Sequence, residues 1–518
     1  MTGTTAPRSW SLSPGRALAL PGAFIVTLAL SSVLVARLHA VMFASFMGAA
    51  AAVGIWAVVL YVKARKGGRT LTLVWAPKAT HWAQGIAQLM VYVWWARYVP
   101  IVGAFAPFIV AQLIFAYAVD GLLNWSRRDS YAFGFGPIPI ILSINLFLWF
   151  RPDWFYWQFV MIVMGLLAKE LIRWQRDGRS AHIFNPSSFP LSVFSIYLIA
   201  TRGSDTTFGQ VIANTIFDPP YMYLLVFLAA VPGQFLFGVA RTSLGALATL
   251  LVISVGYFQV TGTYLFLDAH VPVPVFIGLL LLVTDPSTSP RTDLGRIMFG
   301  MLYAVLTTIL FVLLPLVGAP TFYDKLLPIP FMNLTVRGID RFASSRALAV
   351  LDPARLVASL APMGRNFAYG AVMALVFTGL YATEGLGDRH PGQYLPFWTR
   401  ACEAGNARAC RYEAYLTATY CNNGSGWACN EAGIQLAEAR RDRGQMFLKG
   451  CELGFSTACA NAARGGDAGA LVRAPPTDRD LPIILRGTKP ALTERDRTVL
   501  MALGCRQGWT DMCGQAGS

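Results

Sequence analysis

The nonapeptide CELGFSTAC, from Cys451 to Cys459, has two cysteines eight positions apart and a glycine three positions after the first. The same C-x-x-G-x-x-x-x-C spacing occurs three more times, in CEAGNARAC (402–410), CNNGSGWAC (421–429) and CRQGWTDMC (505–513). Together the four copies use all eight cysteines of the 518-residue chain, and none lies before residue 400. This spacing marks the C-terminal part of the chain as a region with its own architecture.

A single straight helix cannot join the two cysteines of one nonapeptide. Eight residues separate the Cα atoms by about 12 Å, whereas a disulfide needs about 4.4–6.8 Å. A glycine after the first cysteine can end a helix in the left-handed conformation, so that the next helix starts near the second cysteine. We therefore expect a helix–turn–helix corner in each nonapeptide, closed by a disulfide: Cys402–Cys410, Cys421–Cys429, Cys451–Cys459 and Cys505–Cys513.

Zinc is the alternative use of eight thiolates, but zinc fingers and ribbons space their cysteines about two to four residues apart. The sequence therefore predicts disulfides and no metal site. Because disulfides persist outside the cytoplasm, we expect residues 385–518 to lie in a periplasm-like compartment. The stretch MFLKGCELGFSTACANAA resembles the cysteine-clamped form of Sel1-like repeats, which are helical-hairpin solenoids, over about 385–515. The resemblance implies a repeat domain that binds periplasmic proteins; a stabilising cap is the alternative.

The rest of the chain has the composition of a membrane protein. Hydrophobic residues make up 55% of the chain and charged residues 13%, and the mean hydropathy is +0.50. Several apolar runs are short and contain Pro or Gly, as expected where irregular backbone surrounds a buried site. Thirteen runs are candidate crossings: about 21–38, 43–62, 83–98, 101–123, 137–150, 155–174, 187–201, 219–239, 243–260, 272–284, 297–317, the weaker 323–340, and 367–384.

The arginines and lysines give these runs an orientation. With the N-terminus in the cytoplasm, the basic loop 63–78 and most other basic clusters fall inside, which accounts for much of the +15 net charge without a nucleic-acid partner. Thirteen crossings, but not twelve, leave the cysteine-rich C-terminus outside. The sequence thus predicts an all-α, polytopic protein of the bacterial inner membrane, with a cytoplasmic N-terminus and a disulfide-stapled α-helical repeat domain in the periplasm.

Three stretches of the membrane part, 165–191, 233–251 and 279–300, carry Pro-, Ser- and Thr-rich motifs. Together they resemble the NqrB/RnfD family, the flavin-carrying membrane subunits of sodium-translocating NADH:quinone reductase and Rnf-type electron-transport complexes. GLLAKELIRWQRDGRSAHIFNPSSFPL is similar to the family's helix, basic loop and F-N-P-A segment. GQFLFGVARTSLGALATLL resembles its G-E-T-S-rich helix, with Arg241 in place of the acidic residue, and LLLLVTDPSTSPRTDLGRIMFG is close to its T-D-P-V-T-S-P signature. The segment 323–340 resembles the family's last helix, and the resemblance covers about 85–342.

This interpretation divides the chain into five parts. They are an N-terminal cytoplasmic tail and helical hairpin (1–82), an NqrB/RnfD-like membrane domain (83–342), a cytoplasmic amphipathic linker (343–366), a last transmembrane helix (367–384) and the periplasmic Sel1-like domain (385–518). The resemblance implies a subunit that relays electrons through flavin (FMN or riboflavin) or quinone, coupled to ion translocation. Such a subunit works with the other subunits of an electron-transport complex and is not a complete enzyme alone.

The motifs supply the candidate cofactor residues. In AHIFNPSSF, Asn185 can bond carbonyls freed by Pro186, and Ser187 and Ser188 can cap the next helix. In VTDPSTSP, hydroxyls surround Asp285 and could grip a flavin, although a turn whose polar groups satisfy each other is the alternative. We therefore expect a non-covalent flavin or quinone near six residues: Asn185, Thr242, Ser243, Thr284, Asp285 and Thr288.

A covalent flavin is a separate question. Relatives carry FMN on the threonine of an S-G-A-T segment, and the resemblance places Thr207 of SDTT at that position. Asp205 and Thr206 replace the small residues, and Asp205 adds negative charge where a phosphate must arrive. We predict that Thr207 is unmodified in most molecules.

Two other classes of function remain open at this stage. The chain could be a non-enzymatic membrane anchor that displays the repeat domain, in which case the purified protein would be colourless. It could also be a small-solute transporter that uses the broken helices. Ion-coupled carriers need acidic groups in the membrane, and the spans hold few beyond Asp120 and Glu170. The transporter therefore ranks last.

Overall fold

The computed structural model describes residues 8–36, 39–176, 178–435, 440–464, 471–486, 501–506, 509 and 513, and it is predominantly helical. The chain divides into two compact units. Unit 1 comprises Met1–Leu250 and Val273–Gly379, and unit 2 comprises Leu251–Pro272 and Leu380–Ser518. The helical class predicted from the sequence is confirmed.

The described residues up to Ala382 form fourteen α-helices, and the last turns of α10 and α14 belong to unit 2. They are α1 (Pro14–Ala36), α2 (Ala40–Lys66), α3 (Ala79–Tyr98), α4 (Pro100–Arg128), α5 (Pro137–Asn145), α6 (Tyr156–Leu171), α7 (Ser188–Ala200), α8 (Gly209–Thr215), α9 (Met222–Phe237), α10 (Ala240–Thr261), α11 (Val273–Ile277), α12 (Asp293–Leu316), α13 (Pro328–Ala343) and α14 (Pro362–Ala382). Among the described residues, five of these helices are long and apolar enough to cross a membrane: α1, α2, α4, α10 and α12. The membrane class is thus confirmed, while the count of thirteen crossings stays a prediction.

The segment predicted at 323–340 is helical from Pro328 onward. Just before it, Asp324 and Lys325 form an ion pair with the Lys325 Nζ and Asp324 Oδ1 atoms 3.0 Å apart, and both side chains are buried. Burying two charges together explains how this segment is accommodated despite its weak hydropathy. The linker predicted at 343–366 contains two short 3₁₀ turns, Ala349–Leu351 and Pro353–Arg355, before α14 begins.

Short strands join three connections of unit 1 that are far apart in sequence. β1 (Ser9–Leu12) pairs antiparallel with β2 (Leu71–Trp75), and β2 pairs parallel with β3 (Ser130–Phe133). A second pair, β4 (Arg173–Arg176) and β5 (Arg179–His182), forms a hairpin between α6 and α7. Because one sheet contains all three of β1, β2 and β3, the chain before α1, after α2 and after α4 lies on the same side of unit 1.

Glycines allow α10 and α12 to touch along their backbones. A Cβ atom at Gly300 would lie 2.0 Å from the carbonyl oxygen of Thr242, and one at Gly245 would lie 2.3 Å from that of Ile297. Neither position leaves room for a side chain. Such backbone contact is the packing that small residues permit between membrane helices.

Unit 2 contains the helix–turn–helix corners that the cysteine spacing predicts. Its further helices are α15 (Leu395–Glu403), α16 (Ala407–Asn422), α17 (Gly426–Gln435), α18 (Arg440–Glu452), α19 (Ser456–Ala463) and α20 (Leu481–Arg486). The three corners between α15 and α16, α16 and α17, and α18 and α19 each turn on a left-handed glycine: Gly405 (φ 90°), Gly424 (φ 99°) and Gly454 (φ 88°). The glycine of the fourth nonapeptide, Gly508, lies outside the described residues.

Each nonapeptide holds its own two sulfurs at bonding distance. The S–S distances are 2.00 Å for Cys402–Cys410, 1.99 Å for Cys421–Cys429, 1.98 Å for Cys451–Cys459 and 2.12 Å for Cys505–Cys513. The Cα atoms of the pairs are 4.5 to 4.7 Å apart, as the helix reversal requires. The pairing predicted within each nonapeptide is therefore the pairing in the structure.

Unit 2 also includes the end of α10 and the connection that follows it, which the sequence analysis assigned to the membrane domain. The Asn406 Nδ2 atom donates to the carbonyl oxygen of Thr261 at 3.2 Å, and the Arg408 guanidinium lies 5.2 Å from the ring centre of Tyr257. Arg408 also donates to the carbonyl oxygen of Leu265. The C-terminal helices thus share one core with residues 251–272.

Candidate functional site

A π-helical segment, Gly278–Leu282, continues α11 in the middle of unit 1. A π-helix is rare and disturbs the regular pairing of backbone groups, and such segments often occur at functional sites. Four successive carbonyl oxygens here accept hydrogen bonds from side chains of four other segments. The donors are Ser243 to Leu279 (3.1 Å), Gln234 to Leu280 (2.8 Å), Gln84 to Leu281 (3.1 Å) and Asn185 to Leu282 (3.0 Å).

Asn185 uses its remaining polar atoms on its own loop. Its Oδ1 atom accepts from the Ser187 amide (3.0 Å), the Ser187 hydroxyl (2.8 Å) and the Ser188 amide (3.1 Å). Its backbone amide donates to Asn333 Oδ1 at 3.1 Å. The expectation that Ser187 and Ser188 cap α7 is wrong, because the side chain of Asn185 supplies the cap. Asn185 does bond a carbonyl, but it is that of Leu282 and not one freed by Pro186, as the sequence had suggested.

The turn that contains Asp285 is held by its own polar groups. Asp285 Oδ1 accepts from the Ser287 amide at 2.9 Å, and Asp285 Oδ2 lies 3.4 Å from His182 Nε2. Thr288 N donates to the Asp285 carbonyl oxygen at 3.2 Å, and the Ser289 hydroxyl donates to it at 2.7 Å. Burial acts to raise the pKa of Asp285, but the hydrogen bond and charge of His182 and the bonds from Ser287 lower it below its ordinary value.

The remaining candidates at this site differ in how well they are satisfied. Thr284 donates to the Leu280 carbonyl oxygen at 2.7 Å. The single proton of the Ser243 hydroxyl is shared between Gln234 Oε1 at 2.8 Å and the Leu279 carbonyl oxygen at 3.1 Å. The hydroxyl of Thr242 is fully buried and has no hydrogen-bond partner in the described part of the chain. Asn185 and Ser243 therefore meet at the π-helical segment, Thr284, Asp285 and Thr288 follow it directly along the chain, and Thr242 keeps a hydroxyl with no partner among the described residues.

Thr207 lies in a different environment. Thr207 is 3% exposed, and its hydroxyl donates to the Ser204 carbonyl oxygen at 2.9 Å. The Thr207 hydroxyl oxygen also accepts from the Gly209 amide at 3.3 Å. Tyr323 donates to the Ser204 hydroxyl at 3.0 Å and helps to fix this loop. A phosphoester on Thr207 would require this buried hydroxyl to turn outward and lose both bonds.

Sequence reasoning missed the two glutamines, Gln84 and Gln234, that bind the π-helical segment. The available signal was an amide side chain within an otherwise apolar run, because such a group must find a partner inside the protein. Sequence reasoning also left Arg241 unexplained. Its Nε atom lies 3.0 Å from Asp293 Oδ1, and its guanidinium lies 4.4 Å from the ring centre of Tyr369, so its charge is matched inside unit 1.

A groove of about 420 Å³ runs between α3, α4 and the start of α5, and none of the predicted cofactor residues lines it. Its walls are apolar except at the end where His81 lies. The candidate cofactor residues are therefore distinct from the lining of this groove, although Asp285 lies near enough to act electrostatically on His81 at its end. The chain matches no protein-family model, no curated protein and no solved structure. Any statement about its function accordingly depends on its own motifs and geometry.

Proposed function

We propose that this chain is the membrane subunit of an electron-transport complex and relays electrons through flavin or quinone in connection with ion translocation. One observation carries the proposal. The three motif segments that resemble the NqrB/RnfD family begin far apart in sequence, yet Asn185 of the first and Ser243 of the second both bond carbonyl oxygens of the π-helical segment Gly278–Leu282, four residues of which begin the third. Convergence of polar groups on an irregular intramembrane helix is typical of sites for ions or cofactors.

Within this proposal, the cofactor is held without a covalent bond next to Asn185, Thr242 and Asp285. The free hydroxyl of Thr242 offers a hydrogen bond to a ring carbonyl or ribityl oxygen. The contact between Asp285 and His182 supplies a carboxylate and an imidazole in the same turn. The electron donor and acceptor belong to partner subunits, since the proposal gives this chain only the relay.

Protein purified from its native host tests the proposal by absorption spectroscopy, flavin fluorescence of the denatured gel band, and extraction of quinone. We expect about one flavin or quinone per chain. Asp285→Ala should lower this occupancy more than it lowers expression. Ser287→Ala is the matched control, because it changes the same turn but keeps the Ser287 amide that bonds Asp285. Equal loss of occupancy and expression in Asp285→Ala would mean that the turn is structural.

A second candidate is a membrane anchor without cofactor that displays the cysteine-rich domain to periplasmic proteins. It is favoured by the many internal hydrogen bonds of the Asp285 turn and by the burial of Thr207. A colourless protein that contains neither flavin nor quinone but retains partners of the C-terminal domain would favour the anchor. The same purification therefore separates the two candidates.

We also propose thirteen crossings, with the N-terminus in the cytoplasm and residues 385–518 in the periplasm. Three sets of contacts support an alternation of sides: β1, β2 and β3 in one sheet, Arg176 with Asp340 (2.9 Å), and the bridge between Phe150 and Thr207. Each joins connections separated by an even number of the proposed crossings. Reporter fusions after Gly387 should be active only outside the cytoplasm. A fusion active inside would remove the thirteenth crossing.

A further inference from the structure

The groove between α3 and α4 has the form of a site for one hydrocarbon chain. It is lined along the whole length of α3, from His81 to Ala96, which corresponds to about 22 Å at the rise of an α-helix. Its floor includes the buried side chains of Tyr92, Ile109 and Leu142, and the Tyr92 hydroxyl donates to the Leu142 carbonyl oxygen at 2.9 Å. The volume falls within the range of about 300–1,000 Å³ that small-molecule sites have.

One end of the groove carries positive charge. At the α5 end, a Cβ atom at Gly136 would lie 3.6 Å from His81 Cε1 and 3.7 Å from Lys169 Nζ, so the imidazole and the ammonium meet over this glycine. In the described part of the chain, Lys169 makes no side-chain hydrogen bond or ion pair. Lys78 also acts on His81, and the nearby carboxylate of Asp285 is engaged by His182. This end therefore carries an excess of positive charge with an unpaired ammonium.

We propose that this groove binds one anionic phospholipid, with an acyl chain between α3 and α4 and its phosphate at Lys169, His81 and Lys78. Basic pockets between membrane helices recognise anionic headgroups in this way. The apolar walls accept the chain, and the headgroup neutralises the ammonium that the protein leaves unpaired. This inference does not depend on the proposed electron-transport function.

The proposal can be tested with the full-length chain, which is first delipidated in detergent and then placed in nanodiscs of phosphatidylglycerol or phosphatidylcholine. Native mass spectrometry then measures the lipid that the protein retains. We expect one phosphatidylglycerol to be retained in preference to phosphatidylcholine. Lys169→Gln should reduce that preference about fivefold, which corresponds to one lysine near the headgroup. Lys66→Gln is the matched control, because Lys66 is exposed at the end of α2 and does not line the groove.

A second variant tests the chain-binding part. Ala106 is exposed and lines the groove, so Ala106→Phe should fill it and abolish retention of either lipid without disturbing the core. If Ala106→Phe is not monodisperse, Ala96→Phe on the facing helix serves as the variant that fills the groove. Trp82 is 57% exposed at the charged end, so brominated phosphatidylglycerol bound in the groove should quench its fluorescence. The fraction of the protein's tryptophan fluorescence that this lipid quenches should therefore be smaller in Trp82→Phe. Unchanged retention in the filled variants, equal retention of both lipids, or a tightly bound quinone instead of phospholipid would each overturn the proposal.

Discussion

Units 1 and 2 are both helical, but different interactions hold their helices in place. In unit 1, helices α10 and α12 touch at Gly245 and Gly300, and buried amides such as Gln234 bind backbone carbonyls. In unit 2, disulfides close the corners between helices, and aromatic side chains such as Trp398 fill the core. The comparison shows that the same secondary structure is stabilised in unit 1 by close backbone contact between helices and in unit 2 by covalent clamps across the corners.

The largest expected effect is Gly300→Ala, which tests whether unit 1 depends on backbone contact. The added methyl group would lie 2.0 Å from the Thr242 carbonyl oxygen, so α10 and α12 must separate. We expect a loss of about 3 kcal/mol, at the upper end for overpacking, seen as poor yield and a lower unfolding midpoint in detergent. Gly370→Ala in α14 is the control, because nothing lies within 4 Å of its added methyl group. Equal stability of the two variants would contradict backbone contact as the main constraint.

Removing one clamp should damage unit 2 alone. Cys421 and Cys429 are almost fully buried, and replacing both with serine should cost about 2–3 kcal/mol in the chain-entropy picture. Limited proteolysis should then cut the region from Leu380 onward faster, while the elution profile of the membrane part stays unchanged. Peptide mapping under non-reducing conditions provides the reference for the wild type. Free thiols or links between different nonapeptides in that map would refute the clamp assignment.

The core of unit 2 should also make its stability depend on pH through His390. Its side chain is 1% exposed, and burial together with the nearby His270 lowers its pKa to about 3. An unfolded histidine titrates near 6.5, so the stability due to neutral His390 is complete above that pH and is lost as the pH falls. Between pH 7 and 5 this amounts to about 2 kcal/mol. The pKa of His270 is lowered by burial too and acts in the same direction.

Asp268 opposes this dependence, because burial raises its pKa to about 6 and the folded state then gains stability as the pH falls towards 4. The measurement is therefore a comparison of variants. His390→Asn keeps an acceptor for the Gly392 amide, which bonds His390 Nδ1 at 3.1 Å, and should flatten the acid-induced loss of stability. Asp268→Asn should make the loss steeper. Identical pH profiles of wild type and His390→Asn would exclude His390 as the source.

The smallest expected effect is at Thr207, where the buried hydroxyl and Asp205 both act against covalent flavin. A tryptic peptide from Gly203 to Arg241 should have its unmodified mass in most molecules. A mass increase equal to one FMN would show that the loop opens before modification. That result would mean that this loop of unit 1 is mobile. The contrast between the closely packed helices of unit 1 and the disulfide-linked helices of unit 2 would then be weaker.

The sequence predicts unit 2 better than the interior of unit 1, because the information in unit 2 is local. A cysteine pair and its glycine lie within nine residues, and those residues alone determine the corner. The sheet of β1, β2 and β3 could not be predicted in this way, since LTLVW (71–75) finds its partners about 60 residues away on either side. The sequence likewise did not show that residues 251–272 belong to unit 2, because the residues that they contact also lie far away in the sequence.

The candidate site shows the same limit. The motifs identify Asn185 and Ser243, and both residues do bond the segment that begins the third motif. The sequence did not show that the meeting point is a π-helix, because a run of leucines gives no sign of the backbone register that its neighbours impose. It also did not show that none of these residues lines the groove along α3. A groove is formed by spacing between helices, and periodicity does not encode that spacing.

The sheet in unit 1 has a consequence for the order in which the protein is made. During synthesis β1 and β2 can pair as soon as residue 75 has left the ribosome, because α1 and α2 lie between them. The second edge of β2 then stays open until β3 emerges after α4, about 60 residues later. The first four helices thus form a module that is complete only when β3 docks. A chain stalled between Trp75 and Ser130 would present that open edge to the quality-control proteases of the membrane.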